Sequence, residues 1–344
     1  MTEDVQAHAA GVPPQAQLMQ MAMGFMMSDL LGTAVKLKLA DLLADGPKTA
    51  EELAGQTETH ALTLYRLLRT LSSHGLFAED GERRFALTAL SEPLRTGVPG
   101  SVMTSVQLIT GDLFKRTFEN LVYSVQTGKT AFEKAFGANL FEYLSTRPEE
   151  GSMFSDLMVG FHGPETAAVA AAYDFSGVGT IADVGGATGN MITTILAKNP
   201  EMKGLIYDLP HNEADALALV ESRGMSERVK FEAGNFFESV PEGYDAYLMS
   251  HIIHDWSEEQ CLTILTNCRR AMGPKSRLLI VEFVLPEGNV FHPGKMTDMI
   301  MLTVPGGEER TEQQYRGLLA KAGFRLERVV ATDSAASVVE AYLV

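Results

Sequence analysis

The stretch that decides the fold is Thr180-Ile181-Ala182-Asp183-Val184-Gly185-Gly186-Ala187-Thr188-Gly189-Asn190. Ile181, Ala182 and Val184 suit a buried parallel strand, with Asp183 near its carboxyl end. Gly185, Gly186 and Gly189 follow, and the apolar spacing of Met191, Ile192, Ile195 and Leu196 then reads as a helix. Strand, glycine turn and helix let a ligand approach bare backbone, with main-chain N–H groups turned toward an anion. The dinucleotide fingerprint G-x-G-x-x-G does not fit, because Val184 stands where its first glycine belongs. A plain structural turn would use the same glycines.

What remains is D-x-G-x-x-x-G, the pattern of S-adenosylmethionine (SAM) sites, running here from Asp183 through Gly185 to Gly189. The methionine end of SAM carries a carboxylate for main-chain amides and an ammonium for nearby acids. A second acid sharpens the reading. Leu205 to Pro210, LIYDLP, reads as the next strand with Asp208 at its end and Leu209 beyond. In nucleotide-binding α/β folds an acid about 20 residues past the glycines takes the ribose hydroxyls. A helix N-cap before His211 is the competing explanation of Asp208.

The chain has 344 residues, enough for two or three domains, and its 45% hydrophobic content supports a sizeable core. A net charge of −16 disfavours nonspecific binding to nucleic acid or to anionic membranes. The first residues, MTEDVQAHAAG, lack the basic start and apolar core of a signal peptide. No apolar run is read as a membrane span, since the best, Leu278 to Pro286, contains Glu282. Cys261 and Cys268 lie on one expected helix, separated by about 10.5 Å of rise, too far for a disulfide. The expected setting is the cytoplasm.

Residues 15–44 are apolar and rich in methionine, a composition that expects burial, with a second subunit as the available cover. Helices over Leu37–Leu43, Ala50–Ala54 and Ala61–His74 precede a hairpin turning at Asp80-Gly81. Helices followed by a hairpin make a winged-helix pattern, which raises DNA binding. The recognition-helix candidate offers only Arg66 and Arg69 among acids, so scaffold or dimerisation is the better reading. Residues 99–175 read as helical, with Phe114, Phe118, Phe132, Phe136, Phe141, Phe154 and Phe161 mostly in the core and the segment a candidate pocket wall.

From 180 on, strands and helices alternate: strands at 180–184, 204–208, 229–232, 244–250, 277–283, 325–332 and 337–343, helices at 188–198, 213–223, 257–272 and 311–322. This is a doubly wound α/β sheet. Asn235 and Phe236, after the third strand, could meet adenine by hydrogen bond and by stacking, although Phe236 suits plain core equally. Ser250 to Trp256, SHIIHDW, places His254 and Asp255 past the next strand end, where a His-Asp pair is a general-base candidate. A lone histidine is more often structural. Glu282 and Glu309 could orient that imidazole, Glu282 by holding one ring nitrogen.

The chain resembles the SAM-dependent O-methyltransferases of the plant caffeate and flavonoid type and their bacterial natural-product relatives. The resemblance runs over nearly the whole sequence and rests on DVGGATG, YDLP, GNFF, HDWSEEQC, VEFVLP and PGGEERT, in that order. It implies a class I SAM-methyltransferase fold, Rossmann-like, with an N-terminal, mostly helical, winged-helix-like dimerisation domain and a homodimer with interlocked N-terminal domains. It also implies His254 as the base flanked by Glu282 and Glu309, and cofactor contacts at Asp183, Gly185, Gly186, Gly189, Asp208, Leu209, Asn235, Phe236 and Ser250. The expected division is a dimerisation domain at 1–98, a helical pocket segment at 99–175 and a SAM-binding catalytic domain at 176–344. Phe154, Met158, His162, Asp255, Asp298 and Met301 are expected around the acceptor, and no metal is needed.

Three positions depart from the family pattern: Ala187 stands where a third glycine is frequent, Asn235 where an Asp is usual, and Ser250 where plant members often carry Lys. The expected reaction moves a methyl group from SAM to a hydroxyl, phenolic in the family's usual chemistry, of a small aromatic metabolite, leaving S-adenosylhomocysteine. A phenol of pKa about 10 facing an imidazole of about 6.5 makes prior deprotonation uphill, so His254 would accept the proton as the new bond forms. Two alternatives stay open: a carbon-methylating relative, and a non-methylating relative that keeps SAM as a structural ligand.

Overall fold

The computed structural model describes residues 13–344, with the side chains of 156, 159 and 161–164 outside the described residues. Two expectations, Phe161 and His162, therefore lie outside the described side chains. Contacts divide the chain into two compact units, one of residues up to 119 with 141–161, the other of 120–140 with 162–344. Residues 99–175 form no unit of their own and are shared between the two.

The first unit opens with helices Pro14–Ala22 and Gly24–Lys36, parted at Met23, then Leu39–Leu42. Strand β1 (Lys48–Thr49), absent from the sequence reading, leads into helix Ala50–Thr57. Thr49 and Glu52 form a capping box there, each side chain serving the other's main-chain N–H. Helix Ala61–Ser73 and strands β2 (Phe77–Glu79) and β3 (Arg84–Leu87) complete a three-stranded sheet of order β1-β3-β2. Leu39, Leu53, Leu64, Leu68, Phe77 and Phe85 fill the core between helices and wing. The hairpin turns where expected, but its left-handed residue is Arg83 (φ 57°), not Gly81, and Asp80 steadies the loop by accepting the Glu82 and Arg84 N–H groups at 2.9 Å.

Residues 15–44 correct one expectation. In the single chain only Ala34 and Val35 of helix Gly24–Lys36 are buried, while Met21 is 79% and Phe25 62% exposed, as a face awaiting a second subunit requires. Pro14–Lys36 is also long and apolar enough, by length and composition, to cross a membrane, which the sequence reading had not recognised.

The second unit is built on a seven-strand path, β10-β11-β8-β7-β4-β5-β6, from β4 (Thr180–Val184), β5 (Lys203–Asp208), β6 (Val229–Ala233), β7 (Ala246–Ser250), β8 (Arg277–Leu285), β10 (Phe324–Ala331) and β11 (Ala336–Leu343). A short β9 (Arg310–Thr311) pairs with β8 off that path. Strands β4 to β8 run parallel and β11 is antiparallel to both neighbours.

Side chains alternate between two apolar clusters along each strand. Leu205, Tyr207, Tyr247, Met249, Leu278 and Ile280 face one cluster, with helices Glu258–Ala271 and Glu312–Lys321. Ile206, Leu248, Leu279 and Val281 face the other, with helices Asn190–Lys198 and Glu213–Ser222. That alternation is the doubly wound arrangement. Helix Asn190–Lys198 starts two residues later than expected because Gly189, at φ 76°, caps it in a left-handed conformation. A helix at Gly294–Thr303 was not anticipated. Of the aromatics read as core, Phe114 and Phe132 are buried, whereas Phe141 is exposed and Phe118, Phe136 and Phe154 are half-buried.

Candidate active site

Strand order reverses between β4 and β7, and ligands of open α/β sheets bind outside the carboxyl ends of strands at such a point. The parallel register brings Asp183, Asp208 and Ser250 to that edge, with Asn235 and His254 just beyond the ends of β6 and β7. Sequence-distant acids thus line one rim.

The glycine turn is tight for identifiable reasons. A Cβ at Gly185 (φ 77°) would lie 2.4 Å from Ile252 Cδ1, one at Gly189 2.3 Å from Ile206 Cδ1, and one at Gly186 2.8 Å from Asp183 Cγ. Ala187 holds φ 46° where glycine is easier, and its N–H donates to Asp208 Oδ2 at 2.7 Å. Asp208 also accepts the Leu209 N–H (2.6 Å) and Asn212 Nδ2 (2.9 Å) through Oδ1. Asp208 is therefore not the cap of a regular helix but the clasp between the glycine turn and the loop after β5.

Asp183 is buried, and among the described residues its Oδ2 has no hydrogen-bond partner. Burial, reinforced by the charge of Asp208, pushes its pKa up to about 7. Such a carboxyl is suited to a cationic ligand group. Asn235 spends its side chain locally, accepting the Phe237 N–H at 3.0 Å and donating to Glu238 at 3.2 Å. Phe236 is half-buried beside Gly185 and packs edge-on to Trp256, so it borders the cleft as well as the core.

His254 sits on the short turn Ile253–Asp255 and is 4% exposed. Its Nδ1 lies 2.8 Å from Glu309 Oε1 and its Nε2 3.6 Å from Asp255 Oδ1. Burial alone would lower its pKa, but Asp255, Glu309 and Glu282 outweigh that and raise it to about 10. Glu309 is pushed up by burial and pulled back by the imidazolium beside it. The carboxylates around the ring thus favour its protonated form.

Glu282 corrects an expectation. It does not hold the ring; its Oε1 accepts the main-chain N–H of His254 at 3.1 Å and its Oε2 accepts the Tyr315 hydroxyl. The reason is the strand alternation, which turns Glu282 to the same face as Leu278 and Ile280, toward helix Glu312–Lys321. Asp298, expected at the acceptor, accepts the Glu309 N–H at 2.9 Å and so braces the ring's partner. Met301 contributes its carbonyl to Gly306 and Gly307. Gly307 presses on the base, since a Cβ there would lie 1.8 Å from the His254 carbonyl oxygen. Phe154 and Met158 fall in the first unit, on helix Pro148–Ala172, and are half-buried.

Three residues escaped the sequence reading. Arg310 is buried, donating to the carbonyls of Ile253 (3.3 Å) and Glu308 (3.0 Å). His251, also buried and at φ 54°, meets Glu165 at 2.7 Å, and its ring centroid is 5.1 Å from that of His254. The motif SHIIHDW displayed His251, but Glu165 lies 86 positions away and no local signal joins them. Among the described residues no group of three or more His, Cys, Asp or Glu could hold a metal ion.

Comparison with known proteins identifies this assembly. The family model of the O-methyltransferase domain matches residues 118–325, and that of the O-methyltransferase dimerisation domain matches residues 19–97. The chain belongs to the O-methyltransferase family. The methyltransferase is 41% identical over 341 residues to the phenazine O-methyltransferase PhzM of Lysobacter antibioticus, covering 99% of both chains. It is 34% identical over 300 residues to the 8-amino-8-demethylriboflavin N,N-dimethyltransferase of Streptomyces davaonensis, 86% of each chain. The crystal structure of NcsB1 from neocarzinostatin biosynthesis, in complex with SAM and 2-hydroxy-5-methyl naphthoic acid, superimposes with a TM-score of 0.80 at 30% identity, covering 92% of this chain and 96% of that one.

This methyltransferase is a class I, SAM-dependent enzyme with an N-terminal dimerisation domain. Its residues fit the cofactor. The Asp183 Oδ2, without a partner among the described residues, suits an ammonium, the glycine turn bares main-chain N–H groups, and Asp208 retains lone pairs for ribose hydroxyls.

Proposed function

We propose that the enzyme methylates a phenolic hydroxyl of a small aromatic natural-product intermediate, with His254 as general base. The observation that carries this reading is the His254–Glu309 pair, 2.8 Å apart and buried past the end of β7. Bound SAM supplies a methyl group on a positively charged sulfur. The chain's own residues do the rest: they hold donor and acceptor together, exclude water and take the hydroxyl proton at His254 Nε2. Glu309 keeps Nδ1 occupied, which leaves Nε2 as the proton acceptor once the ring is neutral.

The raised pKa changes the energetics expected from an ordinary histidine. Against a phenol of about 10, an imidazole of 6.5 leaves proton transfer uphill by about 5 kcal/mol. With His254 at about 10, transfer to the neutral ring is close to thermoneutral, and because the ring is protonated at neutral pH, turnover should rise as pH climbs toward that value. Phenol with imidazole and phenolate with imidazolium carry the same total charge, so the site can take up either pair.

We assign residues 1–98 to dimerisation, 99–175 to the acceptor pocket and 176–344 to SAM binding and catalysis, in a cytoplasmic homodimer. The exposed Met21 and Phe25 and the matching dimerisation domain support the dimer. A second reading, methylation of an aromatic amine, is favoured by the N,N-dimethyltransferase relative. The test is a panel of phenols and anilines with product mass spectrometry, on wild type and His254→Ala. Turnover of phenols should fall about 10²–10⁴-fold in the variant, least for the most acidic phenols. Wild-type rates on a weakly acidic phenol, with chemistry rate-limiting, would leave His254 a structural residue, and anilines as the sole products would favour the second reading.

A further inference from the structure

The turn that carries the base is too short to satisfy its own main chain. Ile253–Asp255 spans three residues; beyond the local bonds from the Asp255 N–H to Ile252 and from the Trp256 N–H to Ile253, its polar groups are met from outside. The Ile253 carbonyl accepts from Arg310 and from the Cys261 thiol, and the His254 carbonyl accepts the Glu308 N–H at 2.8 Å. Among the described residues the His254 N–H donates to one carboxylate, Glu282.

That carboxylate lies in the sheet interior, 0% exposed, and is held by two donors, one on each oxygen. The terminal torsion of a glutamate is broad and roughly two-fold, so one donor leaves the carboxylate plane loosely set. The second donor, the hydroxyl of Tyr315, fixes it. Tyr315 is itself 0% exposed, on helix Glu312–Lys321 among Leu318 and Leu319. It touches no reacting group. Burial and the neighbouring carboxylates hold its phenol well above its ordinary pKa, so it remains a donor throughout the working range.

We propose that Tyr315 is a positioning residue for methyl transfer: acting through Glu282, it fixes the main chain of His254 and hence the direction in which Nε2 meets the acceptor. The inference rests on the reading of His254 as the base. Glu309 holds the ring only about Nδ1; on the backbone to which the ring is attached, the carbonyl is held by the Glu308 N–H and the N–H by Glu282. Misplacement of a reacting group by about 1 Å costs about 10²-fold in rate. A carboxylate released to rotate would let the turn shift by a fraction of that.

The test is a double-mutant cycle of Tyr315→Phe and Glu282→Ala, read as kcat on a phenol with SAM affinity measured by calorimetry. Tyr315→Phe removes one oxygen atom and should lower kcat about tenfold, with SAM affinity within about twofold and little change in acceptor KM. In the Glu282→Ala background the same substitution should have no further effect on kcat, because its route to the base is gone. A structural tyrosine would lower thermal stability without that selective loss. Wild-type kcat in Tyr315→Phe, or an undiminished effect in the Glu282→Ala background, overturns the proposal. Should Tyr315→Phe not fold, Glu282→Asp serves instead, since a carboxylate one methylene shorter cannot reach both donors; it should lose kcat and keep SAM affinity, and wild-type kcat would again overturn the proposal. His254→Ala, run alongside, separates the two readings: full activity there defeats the base itself, while loss there with an active Tyr315→Phe defeats only the positioning role.

Discussion

Replacing Glu309 by Gln should move the pH dependence of catalysis in a direction and by an amount that the site dictates. His254 stands at about 10 rather than 6.5 because the carboxylates of Asp255, Glu309 and Glu282 outweigh its burial. Glu309 is the one bonded to the ring, at 2.8 Å. A hydrogen bond to a charged partner is worth about 1.5–3 kcal/mol, or about 1–2 pKa units at 1.36 kcal/mol per unit. Glutamine keeps an oxygen for the Nδ1–H and removes only the charge. His254 should therefore fall to about 8–9.

The sign follows from the role of the ring. A base must be neutral to accept a proton, and a lower pKa makes it neutral at lower pH. The acid limb of kcat/KM on a phenol should consequently move down by about 1–2 pH units in Glu309→Gln. The weaker base should lower the plateau by roughly 3–10-fold, since proton transfer is partial in the transition state. The assay is initial-rate methyl transfer across the pH range, with SAM saturating. An acid limb that stays in place, or moves upward, would refute the claim that Glu309 raises the proton affinity of His254.

Three other perturbations follow from the geometry. Gly307→Ala forces a methyl group to within 1.8 Å of the His254 carbonyl, so turnover should fall more than about 10²-fold while calorimetry shows SAM binding retained; a fully active variant would mean that the loop yields without moving the base. Met21→Glu combined with Phe25→Glu places two charges on exposed apolar helix surface and should dissociate the dimer, read by light scattering, with an unchanged dimer mass the contrary result. Asp183→Asn should stabilise the SAM-free enzyme in a pH-dependent way. A carboxyl raised from 3.8 to about 7 on folding contributes its stability below the unfolded value and loses it as pH climbs to the folded one, a span worth on the order of 4 kcal/mol. The variant should thus gain over wild type at pH 8 but not at pH 4 in thermal unfolding, and an equal difference at both would refute the shift.

The strand ends were legible because each is announced locally. Asp183 with its glycines, Asp208 in the run Asp208-Leu209-Pro210 and His254 after an apolar strand are all patterns a few residues wide. Partner choice was not legible. Whether Glu282 meets the ring or the backbone depends on the face its strand turns inward and on a helix arriving some thirty residues later. Helix Gly294–Thr303 mixes Lys295, Thr297, Asp298 and Thr303 with its apolar residues, so its stripe is weak and the bond from the Glu309 N–H to Asp298 was not legible. Arg310, in PGGEERT, carries no local sign of its place, yet it is buried by the carbonyls of the turn it supports. For residues 15–44 the composition showed the need for cover from a second subunit, and in the single chain Met21 and Phe25 are exposed.

Asp183 carries a consequence for cofactor binding that rate measurements would not reveal. At pH 6 a carboxyl of pKa about 7 is about nine-tenths protonated, and at pH 8 about one-tenth. Its Oδ2 has no partner among the described residues, so a cation brought beside it favours the ionised form. Binding of SAM should then release close to one proton at pH 6 and few at pH 8. Calorimetry in two buffers of different ionisation enthalpy measures that number directly. Asp183→Asn should abolish the release at pH 6 and weaken binding, because the amide neither titrates nor attracts the ammonium. Proton release that is absent at pH 6, or persists unchanged in the variant, would place the ammonium elsewhere and leave Asp183 a residue of the turn alone.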